Sequence, residues 1–181
     1  MDAIFPSRGI RAPERERKEK MTDKGFPDIV KVVVEIPKGS RNKYEYDPES
    51  GRIKLDRVLF SSVHYPADYG FAEETMAEDG DEVDVLVLIE EPTFPGCLIE
   101  AKPIGYLEMR DEKGGDNKVI AVPLKDPRWG QTKDLHELPP SLLEEIENFF
   151  LTYKKLEYRE VRSEGWHNAH EAKGYLKKCR T

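Results

Sequence analysis

From Ile29 to Val122 the apolar residues come in short, largely β-branched runs, each closed by Gly, Pro or Asp, and after Pro139 the period changes to that of a helix. Residues 29–36 read as a strand ended by Pro37, Lys38, Gly39 and Ser40. Residues 43–46 alternate and enter a turn over 47–51, and residues 53–60 return as the hairpin partner. Residues 83–89, 98–109 and 118–122 are further strand-like runs. Within residues 139–156, Leu142, Ile146, Phe149, Tyr153 and Leu156 recur at helical spacing, and Leu143 and Phe150 widen the stripe. Pro139 and Pro140 suit a helix start. Ala169, Ala172, Leu176 and Cys179 mark a second helix with Asn168 as its N-cap. Strands followed by helices predict an α+β domain built on an antiparallel sheet or a small barrel, with two C-terminal helices packed outside.

The 181 residues suit one domain with a real core. Residues 1–24 are polar and without periodicity and are expected to form a mobile tail, leaving 25–181 as the single domain. No apolar run approaches the ~20 residues of a membrane span, and the N-terminal stretch lacks the apolar segment of a secretory signal. Cys97 and Cys179 are too few for a disulfide framework and read as small apolar residues, so a cytoplasmic location is expected. His136, His167 and His170 have no paired spacing for zinc, and His64 reads as structural. A net charge of −7 argues against a nucleic-acid partner. An acidic chain can still bind an anionic phosphate compound when divalent cations stand between its carboxylates and that ligand.

The carboxylates are gathered. In Asp79-Gly80-Asp81-Glu82-Val83-Asp84-Val85, three aspartates precede an apolar strand and converge where the loop enters the sheet. Two carboxylates ~5 Å apart repel by roughly 3 kcal/mol at an effective dielectric of 20, which cations or solvent must relieve. Alone, such a motif fits a solvated acidic turn as well as a metal site. An EF-hand loop fails, because Val83 stands where the third oxygen ligand belongs and the glycine is misplaced.

The motif is similar to the signature of the soluble family I inorganic pyrophosphatases of bacterial type. Other segments resemble that family in the same order: Val34-Glu35-Ile36-Pro37, Lys43-Tyr44-Glu45, Asp56-Arg57, Tyr65-Pro66-Ala67-Asp68-Tyr69-Gly70, residues 111–118, residues 149–154 and Gly165-Trp166. The resemblance runs from about Asp28 to near the C-terminus. One stretch departs from it: residues 155–162 are shorter than the family's Gly-Lys-bearing connector.

The resemblance implies a small closed OB-like barrel, with the site at one end of it, and a homo-oligomer, usually a hexamer. It implies hydrolysis of pyrophosphate to two orthophosphates by direct attack of a metal-activated water, with several Mg²⁺ ions per site. Asp79, Asp84 and Asp116 look like the tight metal ligands, Asp111 joins Asp116 around a further ion, and Glu35 looks like a peripheral ligand. Asp81 corresponds to the general base. Lys43, Arg57, Lys118 and Lys154 look like phosphate-binding cations, Tyr69 and Tyr153 like hydroxyl donors, and Glu45 and Tyr65 like supporting groups. The residues are compatible with this. Hard Mg²⁺ favours carboxylate oxygens, and Lys and Arg suit anionic oxygens. Lys43 and Glu45, two apart on a strand, share a face opposite Tyr44 and Tyr46. Taken singly, Lys43 or Arg57 fits a surface charge, Tyr153 fits helix packing and Asp56 fits an orienting partner of Arg57. A non-catalytic calcium- or phosphate-binding module and an OB-type nucleic-acid binder are the alternative classes.

Overall fold

Strand β1 (Val30–Ile36) is buried at every second residue, the signature of a strand with one face in a core. The computed structural model to which it belongs describes residues 25–112 and 114–181. The expected tail over 1–24, and Lys113 within the resembling segment 111–118, lie outside those residues. The remaining strands are β2 (Asn42–Asp47), β3 (Arg52–Val58), β4 (Asp68–Ala72), β5 (Asp84–Val87), β6 (Leu98–Asp111), β7 (Gly114–Gly115), β8 (Lys118–Pro123) and β9 (Arg162–Asn168). Among the described residues two α-helices, α1 (Pro140–Thr152) and α2 (Ala169–Lys178), complete the sheet-dominated α+β fold.

Strand β1 pairs with β4 on one side and with β6 on the other. The path from β4 runs through β5 and β8 back to β6, so five strands return on themselves. Strands β2 and β3 form a separate hairpin, and β9 lies along β6. One feature corrects the expectation of an antiparallel sheet: β5 and β8 are parallel, with Val85 opposite Val119. The long strand β6 intervenes in the chain but lies on the far side of β8, which leaves two strands of like direction side by side.

Strands β5 and β8 are buried on both faces. Leu86 and Ile120 pack with Ile36, Tyr65, Ile146, Phe149 and Phe150 beneath α1. Val85, Val87, Val119 and Ala121 pack with Val32, Val34, Leu176 and Cys179 on the α2 side. This explains why residues 118–122 read as a continuous apolar run rather than an alternating one.

Helix α1 buries Ile146, Phe149 and Phe150 and stops at Thr152, short of the expected Leu156. Tyr153 caps it, a 3₁₀ turn follows over Lys155–Glu157, and Tyr158 ends that turn in the left-handed region at φ 58°. Leu156 is therefore exposed instead of completing the stripe. Helix α2 begins at the expected cap: the Asn168 side chain accepts from Glu171 N, and the Glu171 carboxylate accepts from Asn168 N at 2.9 Å.

Candidate active site

The starts of β5 and β8, the β2–β3 hairpin and the end of α1 surround a cleft of about 370 Å³. Its walls carry Glu35, Lys43, Glu45, Arg57, Tyr69, Asp79, Asp81, Asp84, Asp111, Asp116, Lys118, Tyr153 and Lys154. The fold thus gathers every predicted site residue except Tyr65, which is buried behind the wall against Tyr69, Phe149 and Tyr153.

Local structure aims these side chains. The β1–β4 register slips at Glu35, a bulge that turns the residue out of the ladder. Its carboxylate accepts a hydrogen bond from Tyr46 N at 2.6 Å. Burial pushes the Glu35 carboxyl up to about 7, and the neighbouring Asp84 charge adds to the shift. The β6–β7 hairpin sets Asp111 opposite Gly114, and Asp116 N donates to Met109 O at 2.8 Å, so both aspartates reach the cleft. Gly80, at φ 91°, permits the turn between Asp79 and Asp81, and Asp81 N donates to the Asp79 carboxylate at 3.2 Å.

Lys118 is the electrostatic centre. Only 2% exposed, it donates to both Asp84 and Asp116. Burial disfavours its charge, yet Asp84 and then Asp116 outweigh that and hold the ammonium well above the usual lysine range. The rings of Tyr69 and Phe150 stand 5.9 and 5.6 Å from the Lys118 nitrogen. Burial and Asp84 push Asp116 up, against the pull of Lys118 and Lys154. The Lys154 ammonium lies 3.5 Å from Asp111.

On the hairpin, Lys43 bonds Glu45, and Asp56 accepts from Arg57 at 2.5 Å and from Lys43 at 3.4 Å. Burial raises the pKa of Asp56, but Lys43 and Arg57 together hold it below the usual carboxylate range. Burial pushes the phenols of Tyr65, Tyr69 and Tyr153 well above their ordinary range, so they remain protonated donors at physiological pH.

Tyr44, Tyr46, Phe71, Glu82 and Arg159 also border the cleft. Alternation assigned Tyr44 and Tyr46 to the face opposite Lys43 and Glu45. The hairpin register skips Asp56, a bulge that interrupts regular alternation, and all four residues border the cleft. Glu157, whose Oε2 lies 2.9 Å from Arg57, carries no sequence signal. The predicted structural His64 is exposed and stands outside the cleft wall.

The donor set fits a hard divalent cation: carboxylates from four segments converge, and burial disfavours the charge of Glu35 and Asp116. Among the described residues no group of three already meets at coordinating distance. Lys118 supplies the neutralising charge between Asp84 and Asp116. No helix of the described residues is long and apolar enough to cross a membrane.

The family model described as Inorganic pyrophosphatase matches residues 32–181. The chain is 58% identical to an inorganic pyrophosphatase of Leifsonia xyli over 142 residues, covering 78% of this chain and 87% of the relative. It is 50% identical to that of Methanosarcina mazei over 149 residues, covering 82% and 88%. The crystal structure of inorganic pyrophosphatase from Thermus thermophilus superposes with a TM-score of 0.84 at 47% identity, covering 87% of this chain and 91% of that one. The Helicobacter pylori enzyme gives 0.83 at 42% identity, covering 86% and 94%. With most of its length matched by the family model and by relatives at half identity or more, the chain belongs to the inorganic pyrophosphatase family.

Proposed function

We propose that this chain hydrolyses inorganic pyrophosphate to two orthophosphates by direct attack of a water on one phosphorus. The observation that carries the proposal is the single cleft in which carboxylates face Lys43, Arg57, Lys118, Lys154 and two protonated tyrosines. A small, highly charged substrate needs both halves of that arrangement, positioning and charge neutralisation. Mg²⁺, held by Asp79, Asp84, Asp111 and Asp116 with Glu35 at the periphery, would polarise phosphoryl oxygens and lower the pKa of a bound water.

Asp81, on the loop between Asp79 and Asp84, takes the proton of the attacking water. The water oxygen bonds to phosphorus as the bridging P–O bond breaks, and the electron pair leaves with the second phosphate. Arg57, Lys43 and Lys154 hold the phosphate oxygens, Lys118 adds charge beneath them, and Tyr69 and Tyr153 donate hydrogen bonds. Glu45 orients Lys43, and Tyr65 supports Tyr69 from behind.

Residues 25–181 form the working unit on this reading, and residues 1–24 are dispensable for turnover. The strand ring, closed through the β1–β6 pairing, is read as a small OB-like barrel. A cytoplasmic homo-oligomer, a hexamer by family resemblance, completes the proposal. Phosphate release from pyrophosphate, with Mg²⁺ and after exhaustive chelation, tests it. Turnover that needs the metal supports the proposal, and full activity after chelation would sink the metal mechanism.

A further inference from the structure

Arg57 belongs to the β2–β3 hairpin, whereas Lys154 follows α1, so two cations of the cleft stand on separate elements. Glu157 connects them. Its N–H donates to Lys154 O at 2.9 Å within the 3₁₀ turn, and its carboxylate Oε2 lies 2.9 Å from Arg57 Nη2. The Glu157 side chain is only 9% exposed, although it sits in a turn whose neighbours Leu156 and Tyr158 are open to solvent. An exposed ion pair contributes little and tolerates many geometries; one shielded from solvent on its acidic side holds its partner more firmly.

The guanidinium is fixed from two sides. Nη1 donates to Asp56 at 2.5 Å and Nη2 pairs with Glu157 at 2.9 Å. Each terminal nitrogen carries two hydrogens, so one on each stays available to an anionic oxygen. Arg57 Nε and Glu157 Oε1 are buried and have no hydrogen-bond partner among the described residues. The pair is therefore single-bonded rather than a closed fork, and Glu157 restrains Arg57 while leaving the second hydrogen of each terminal nitrogen free.

We infer that Glu157 is a positioning residue that holds the Arg57 guanidinium toward the phosphate of the substrate and ties the β2–β3 hairpin to the Lys154 turn. This deepens the function proposed above and rests on it. Asp56 belongs to the hairpin itself and orients Arg57 locally. Of the two described residues that pair with Arg57, Glu157 is the one that fixes it relative to another element of the cleft.

The test is a double-mutant cycle on the full chain, with Glu157→Gln, Arg57→Lys and the double variant assayed at saturating Mg²⁺. Glu157→Gln should lower kcat/KM for pyrophosphate by about tenfold, mainly through KM, because a charge-assisted bond that orients a binding group is lost. In the Arg57→Lys background the same change should cost less than about twofold, since a residue acting through Arg57 has nothing left to position. The affinity for inorganic phosphate, measured by calorimetry, should follow the same pattern. Equal losses in both backgrounds, an unchanged KM, or tighter substrate binding in Glu157→Gln would each overturn the assignment. Inactivity of the unaltered chain on pyrophosphate would instead overturn the function proposal, and the phosphate affinities would then decide the role of Glu157 by themselves.

Discussion

Asp84 and Lys118 head the two strands that run in parallel, each one residue before the Val85–Val119 register position, and the Lys118 ammonium bonds the Asp84 carboxylate. In an antiparallel pair the two strand starts would lie at opposite ends. The parallel pairing sets both at one end of the sheet, beside the loop that carries Asp79 and Asp81. Charge is thereby concentrated where the strands begin.

Lys118→Met would leave Asp84 and Asp116 facing each other without the intervening cation. Breaking a buried ion pair typically costs about 3 kcal/mol or more. Thermal melts in chelator should show a loss of that order, and Mg²⁺ should restore more stability to the variant than to the unaltered chain. A melting temperature insensitive to the substitution would show that Lys118 does not neutralise this pair.

Glu35 gives a pH signature in the metal-free protein. Its carboxyl is raised from 4.5 to about 7 by burial and then by Asp84, so the folded state retains a proton that the unfolded chain has lost. The stabilisation is full below about pH 4.5 and disappears as pH rises through 7. Glu35→Gln should flatten the stability profile across that window and exceed the unaltered chain in stability at pH 8. Parallel profiles for the two proteins in EDTA would contradict the assignment.

The motif residues were legible in sequence because each segment keeps its chemistry within a few positions. The strand runs around Val32 and Ile120 and the Asn168 cap were legible from local patterns. Strand β9 was not, since Arg162, Ser163, Glu164, Gly165, Trp166, His167 and Asn168 show no apolar alternation and owe their extended form to pairing with β6. Strand β4 was hidden because Asp68, Gly70 and Ala72 read as turn-forming or neutral residues, yet all are buried. Asp68 remains there because Lys38 N and Thr93 N donate to it at 2.8 and 3.0 Å. The parallel neighbours β5 and β8 and the Arg57–Glu157 pair depend on long-range topology, which no local pattern encodes.

Gly70 keeps β1 and β4 in close contact. A Cβ there would stand 1.9 Å from Val33 O and 2.9 Å from Val34 Cα, both backbone atoms. Gly70→Ala should therefore destabilise by about 3 kcal/mol or more, the range of severe backbone clashes, and displace Tyr69 from the cleft. Chemical denaturation measures the first effect and KM for pyrophosphate the second. Unchanged values would show that the sheet absorbs the methyl group.

Tyr69 and Tyr153 should act as donors and not as acids. Phenylalanine at either position keeps the ring packing against Phe150 and Phe149 and removes only the hydroxyl. Each variant should lose about tenfold in kcat/KM, the worth of one hydrogen bond to a charged group, with little change in melting temperature. The pH–rate profile below pH 9 should keep its shape, because burial holds both phenols protonated. A lost alkaline limb in either variant would assign that tyrosine a titrating role.

Phosphate release from pyrophosphate, followed across a Mg²⁺ titration for the unaltered chain, Asp81→Asn and Asp84→Asn, probes the division between base and metal ligand. Asp81→Asn keeps size and one oxygen but loses basicity, so turnover should fall by about 10²–10⁴-fold at every metal concentration, with the Mg²⁺ midpoint nearly unmoved. Asp84→Asn should shift the midpoint and the turnover together. Rescue of Asp81→Asn by added Mg²⁺ alone would make Asp81 a ligand and contradict the proposal that it is the base.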